Sequence, residues 1–165
     1  MTILSFATQA IGAWSSLYSD SAAIQTGVAF AHIGALVTSG GLAVAQDRGV
    51  LRVPAGDVTA RNLRLHELRT SHRTVLFGLA IVFASGVLFF LADLDTFLTS
   101  KLFWAKMTFV AVLVVNGILL RIAERHAEND PGSDPAWRRL RAHAWASLSL
   151  WVLLTLGGTA LVNVS

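Results

Sequence analysis

Residues 74–92, TVLFGLAIVFASGVLFFLA, carry no charged side chain. A helix of about 20 mostly apolar residues is what it takes to cross roughly 30 Å of hydrocarbon. Two more uncharged runs follow at 107–120 and 144–162. A fourth apolar stretch at the N-terminal side is interrupted by one histidine, His32. The spacing predicts four crossings, near 23–46, 74–92, 101–121 and 143–163, and hence an integral membrane protein. Composition agrees: charged residues make up 14% of the 165-residue chain, where a soluble domain carries about a quarter.

The links between spans are short, which favours an all-α, up-down four-helix transmembrane bundle forming one domain. Pro54 and Gly56 mark the first link, with Asp57 as N-cap of the helix that leads into the second span. The third link, AENDPGSDPAWRR, is a cluster of turn formers, and Asp134-Pro135 reads as N-cap and N1 of the last helix. Residues 3–18 place Ile3, Leu4, Ala7, Ala10, Ile11, Trp14, Leu17 and Tyr18 on one stripe. Ser5, Thr8, Gln9, Ser15 and Ser16 lie on or near the other side. This predicts an N-terminal amphipathic helix in the membrane interface, with Trp14 and Tyr18 at headgroup level.

Charge placement sets an orientation. All eleven arginines fall in 48–73 and 121–141, and the 93–100 link is acidic through Asp93 and Asp95. Loops rich in Lys and Arg stay in the cytoplasm, so both termini are expected outside. The net charge of +3 therefore describes topology. A nucleic-acid partner would need a basic, aromatic-laced surface on a soluble fold and is not expected. The first residues lack a basic region and a small-residue cleavage motif, so no signal peptide is expected. The chain has no cysteine, which removes disulfides, thiolate metal sites and thiol nucleophiles.

Polar residues inside a span usually face the bundle interior. Gln25, His32, Ser39 and Gln46 recur every seven residues and share one face of the first span. Gly27, Ala31, Ala35 and Ser39 make a small-residue line that lets another helix approach closely or leaves room for a flat ligand. Counting inward from the outer ends brings Ser85, Lys106 or Thr108, and Thr155 near His32. Gln25, His32, Ser85, Lys106 and the deeper Asn116 form a candidate polar pocket for an anion, a quinone headgroup or a metal-bound water. The Lys106 stem can also reach outward toward Asp93 or Asp95. In the bland alternative, His32 is neutral, bonded to Ser85 or a carbonyl, and fixes helix register.

The other histidines, His66, His72, His126 and His143, map to the arginine-rich side. His72 opens the second span and His143 the fourth. In a square bundle these helices are diagonal, so two imidazoles at one depth would clamp a b-type haem iron, with Arg73, Arg139 and Arg141 near its propionates. His32 and His126 are candidate ligands for copper or another metal. Interfacial, solvated histidines with no cofactor are the alternative. A Ser-His-Asp arrangement, a phosphate loop, HExxH and paired intramembrane carboxylates are absent from the pattern, and with the acids placed at span ends a proton pump is not expected.

His32, the Gly40-Gly41 pair, the Asp47-Arg48 exit, Lys106 in FWAK and Asn116 in VAVLVVNGILL resemble small bacterial inner-membrane proteins related to the copper-resistance D type. The resemblance covers most of three spans. It implies a bundle of the bacterial cytoplasmic membrane connected with copper or haem. The lack of cysteine and of a methionine cluster departs from a copper(I) carrier. The expected function is a small redox or metal-related protein that holds haem or a metal through histidines and has an electron-transfer or membrane-complex partner. The rivals are a non-catalytic accessory subunit and a quinone or other small-molecule binder.

Overall fold

The computed structural model describes the backbone of residues 3–164 and the side chains of residues 5–159. The side chains of Ile3 and Leu4 of the N-terminal stripe, and the last side chains of the fourth apolar run, lie outside the described ones. Six helices and no strand occur among the described residues: α1 (Ile3–Asp20), α2 (Ala22–Arg52), α3 (Val58–Ala92), α4 (Leu94–Thr99), α5 (Lys101–Asn129) and α6 (Asp134–Val164). Three of them, α2, α3 and α5, are long and apolar enough to cross a membrane. The fourth apolar run lies in α6, itself 31 residues long. Large apolar side chains along these helices point outward: Phe30, Phe77 and Phe83 are each about 70% exposed or more, as expected of surfaces meant for lipid.

Helix order around the assembly is α3, α2, α6, α5, with close packing between each of these neighbours and only light contact closing the ring from α5 back to α3. Small residues set the tightest approaches. A Cβ on Gly78 of α3 would stand 2.5 Å from the Ser39 Cβ of α2, and one on Gly40 would meet the Trp151 ring of α6 at 3.0 Å. The line Ala35–Ser39 is thus consumed inside the chain, against α3. Gly27 at its other end faces open space.

Most of the buried apolar side chains gather at the arginine-rich end, where α3 and α5 run on past their apolar segments. Val50, Val53, Leu65, Leu68, Ala123, Ala127, Trp137, Leu140 and Ala144 form one core there. Arg61 is buried beneath it, with its guanidinium 5.4 Å from the Trp137 ring centroid. It donates to the Pro131 carbonyl (3.2 Å) and to the Asp134 carboxylate (2.6 Å).

The links end in side-chain caps. Asp57 accepts from the Ala60 N–H at 2.9 Å, as its position predicts. At α6 the cap is Ser133, whose hydroxyl accepts from Ala136 at 3.4 Å. The expected cap, Asp134, is one residue too late because Arg61 has taken its carboxylate. The 93–100 link is not a bare turn. It holds the six-residue α4, capped by Asp93 through Thr96, and Ser100 then caps α5 through Phe103.

The N-terminal helix departs from the simple stripe. Trp14 Nε1 donates to the Leu88 carbonyl (2.9 Å) and Ser15 Oγ to the Ala92 carbonyl (2.7 Å), so both lie against the end of α3. Leu17, on the apolar stripe, is about half exposed, as an interfacial helix allows. The orphan carbonyls of α3's last turn need donors, and that demand rotates Ser15 inward.

Candidate functional site

His32 of α2 and Ser85 of α3 meet in the half of the bundle opposite the arginines, with Nδ1 and Oγ 2.9 Å apart. Ser85 is buried, and its hydroxyl hydrogen is directed to the Ile81 carbonyl at 2.6 Å. A hydroxyl has one hydrogen to give, so His32 donates Nδ1–H to Ser85, with the Val82 carbonyl as a further partner of the ring, and in this tautomer Nε2 is the acceptor nitrogen. The ring stands edge-on to Phe89, centroids 5.4 Å apart, and its Cε1 faces Gly86. Lys106 of α5 completes the layer. Its Nζ lies 4.0 Å from the point where a Cβ on Gly158 of α6 would sit. Gly86 of α3 thus lies against His32 and Gly158 of α6 against Lys106. Lys106 makes no ion pair with Asp93, Asp95 or any other acid among the described residues.

Other members expected in this layer are elsewhere. Thr108 and Thr155 are exposed and bond back to Trp104 and Trp151 of their own helices. Gln25 donates to the Tyr18 and Ser19 carbonyls and closes the end of α1. Gln46, seven-residue periodicity notwithstanding, accepts from Arg64. Asn116 lies deeper and belongs to a different contact.

That contact is with His143. Asn116 Nδ2 donates to the His143 carbonyl (3.1 Å), and its Oδ1 accepts from His143 Nδ1 (3.0 Å). His72 instead meets the buried carboxylate of Glu124, Nε2 to Oε2, at 2.5 Å. Both histidines are thus held by α5, but at positions eight residues apart, about 12 Å along a helix. The diagonal placement of α3 and α6 agrees with the expectation. The shared depth does not, because interhelical packing rather than the edge of the apolar run sets each register. Arg73 and Arg139 are exposed, and Arg141 is half-buried. His66 is exposed too, as is His126, whose Nδ1 lies 2.7 Å from the Ile122 carbonyl. His126 and His32 do not come together. Among the described residues no three of His, Cys, Asp and Glu form a group able to hold a metal ion.

Glu124, expected at a span end, and Asp47, noted only for the Asp-Arg exit, both lie in the interior. Asp47 and Glu124 are each about 3% exposed. Asp47 sits beside the Ser147 hydroxyl and Arg64, and one of its carboxylate oxygens has no hydrogen-bond partner. The signal was available: Asp47 continues the Ser39–Gly40 face, and Glu124 lies eight residues on from Asn116, so both share an interior stripe.

Comparison with protein-family models, with curated proteins and with solved structures finds no match to this chain.

Proposed function

We propose that the chain is a four-span protein of the bacterial cytoplasmic membrane, with both termini outside, that binds a small acceptor-bearing molecule of the quinone or quinol class in the outer half of its bundle. The observation that carries this reading is the pair His32 and Lys106. Lys106 is a hydrogen-bond donor turned inward without an acid partner. The lone pair on His32 Nε2 is an acceptor in the same layer. Polar groups at membrane depth are costly and mark functional sites when they face the interior. A quinone ring suits the two: a carbonyl oxygen accepts from Lys106, and the hydroxyl of the reduced form donates to His32. Gly86 and Gly158 put no side chain between these groups and such a ring.

The test is titration of the purified protein with a short-chain ubiquinone analogue, read by quenching of its tryptophans. Saturable binding is expected. Lys106→Gln should weaken it by about tenfold or more, the worth of a hydrogen bond to a charged group. His32→Ala should weaken binding of the reduced form more than that of the oxidised form. Absence of saturation, or equal affinity in wild type and both variants, would remove the proposal.

One observation favours a second reading, in which a histidine holds haem or another metal. Asn116 fixes His143 with its Nδ1–H donated and Nε2 free, the form in which a metal-ligating imidazole is oriented by a second partner. Absorption spectra of the oxidised and reduced protein, with elemental analysis, test it. A Soret band that is lost in His143→Ala supports it, and a colourless, metal-free sample ends it.

A further inference from the structure

The loosest seam of the bundle lies between α3 and α5, which touch only lightly. At its arginine-rich end is a cleft of about 290 Å³ bordered by Arg69, Arg121, Glu124, Arg125 and Glu128. Three guanidinium groups face two carboxylates, and one of these, Glu124, is already committed to His72. Glu128 is exposed to solvent. Arg121 Nη1 is buried and has no hydrogen-bond partner. A guanidinium is planar and presents paired N–H donors that match the oxygens of a phosphate. A buried donor without an acceptor costs free energy until one arrives.

Depth identifies the source of that acceptor. Arg121 closes the third apolar run, Arg125 lies one turn beyond it, and Arg69 lies about one turn before the second run begins. The cleft is therefore at headgroup level. One turn further into the apolar part of α3, Arg73, Thr74, Leu76 and Phe77 border a shallow groove, a surface suited to an acyl chain. We infer that the α3–α5 cleft binds the phosphate of an anionic phospholipid, with Arg69, Arg121 and Arg125 as its donors. Basic pockets between spans on the cytoplasmic side are where such headgroups bind. The lipid would also fill the seam that the chain itself leaves open.

The full-length protein, stripped of lipid in neutral detergent, is exposed to phosphatidylglycerol, phosphatidylcholine or inorganic phosphate, and retained ligand is counted by native mass spectrometry. Wild type is expected to retain phosphatidylglycerol over phosphatidylcholine. The double variant Arg69→Gln/Arg121→Gln should lose about thirtyfold in that preference, two interfacial arginine contacts' worth. Arg139→Gln, an exposed arginine of the same charge on α6, should keep it. If the double variant fails to fold, as judged by its circular dichroism, Arg69→Gln alone decides, with about a fivefold loss expected at this exposed position. Equal retention of both lipids by wild type, or an unchanged preference in the folded variant, overturns the inference. Retention of inorganic phosphate that displaces phosphatidylglycerol overturns the lipid source and assigns the cleft to a free anion.

Discussion

Single positions where space or charge is fully committed give the sharpest outcomes. Gly78 has none to spare: any side chain there drives into Ser39, which is itself buried. Gly78→Val should cost about 1–3 kcal/mol, as overpacking does, measured by unfolding in mixed detergent. Gly27→Leu should change stability by less than about 0.5 kcal/mol, since nothing lies within reach of its Cβ. If Gly27→Leu proves the more damaging, Gly27 is packed within the protein and does not face open space. Asp134 supplies the pH dependence. The hydrogen bond from Arg61, and then its charge, hold the Asp134 carboxyl below its ordinary value. A carboxylate with a depressed folded value adds stability above its unfolded value of about 3.9, and that stability is lost as pH falls through the folded one. Asp134→Asn should therefore be less stable than wild type between about pH 5 and 7. The gap should close as pH drops below about 4. Thermal midpoints across that range measure it, and a gap unchanged at the acid end would show that the ion pair is not its source.

At the scale of helices, local chemistry was well written in the sequence and lateral demand was not. Asp57 is where its residue type and the preceding Pro-x-Gly place it, because a cap depends on three residues of chain. Asp134 was displaced as a cap by an arginine 73 residues away, which no local pattern contains. The same holds for α1. Its apolar periodicity gave a helix, yet the side that faces α3 is the one from which Trp14 and Ser15 donate to the Leu88 and Ala92 carbonyls. α1 is consequently docked through two hydrogen bonds besides the Tyr18–Phe89 contact, rings 6.2 Å apart. Each such bond is worth about 1 kcal/mol. Trp14→Phe with Ser15→Ala should raise amide exchange throughout α1 by about tenfold or more, while exchange in the 113–127 segment of α5 stays as it was. Faster exchange in both regions would mean that α1 is part of the global unfolding unit.

For the whole molecule, hydropathy carried the helices and their number of neighbours, because a lipid-facing surface must be apolar wherever it falls. It carried the interior far less well. His32 and Ser85 were placed together correctly by counting from the ends of short-linked helices. His72 and His143 were not, since α3 continues for about four turns before its apolar run and the count loses its origin there. Asp47 and Glu124 were missed for a related reason: an acid near the end of an apolar run reads as solvated, although helices that extend past the membrane pack there as a protein core. That extended core also bears on orientation. It holds Arg61 on Asp134 and Arg64 on Gln46, so the arginines of both links belong to one packed end of the molecule, the end that the proposed orientation puts in the cytoplasm. Because the chain has no cysteine, single cysteines report on this directly. A membrane-impermeant maleimide applied to intact cells should label Ser19→Cys and Thr96→Cys and spare Ala55→Cys and Gly132→Cys, all four being exposed positions. The reverse pattern would place the arginine-rich body outside and the His32–Lys106 layer in the inner half. Labelling of Gly132→Cys with protection of Ala55→Cys would instead mean that an odd number of spans separates the two links, and the four-span count would fail.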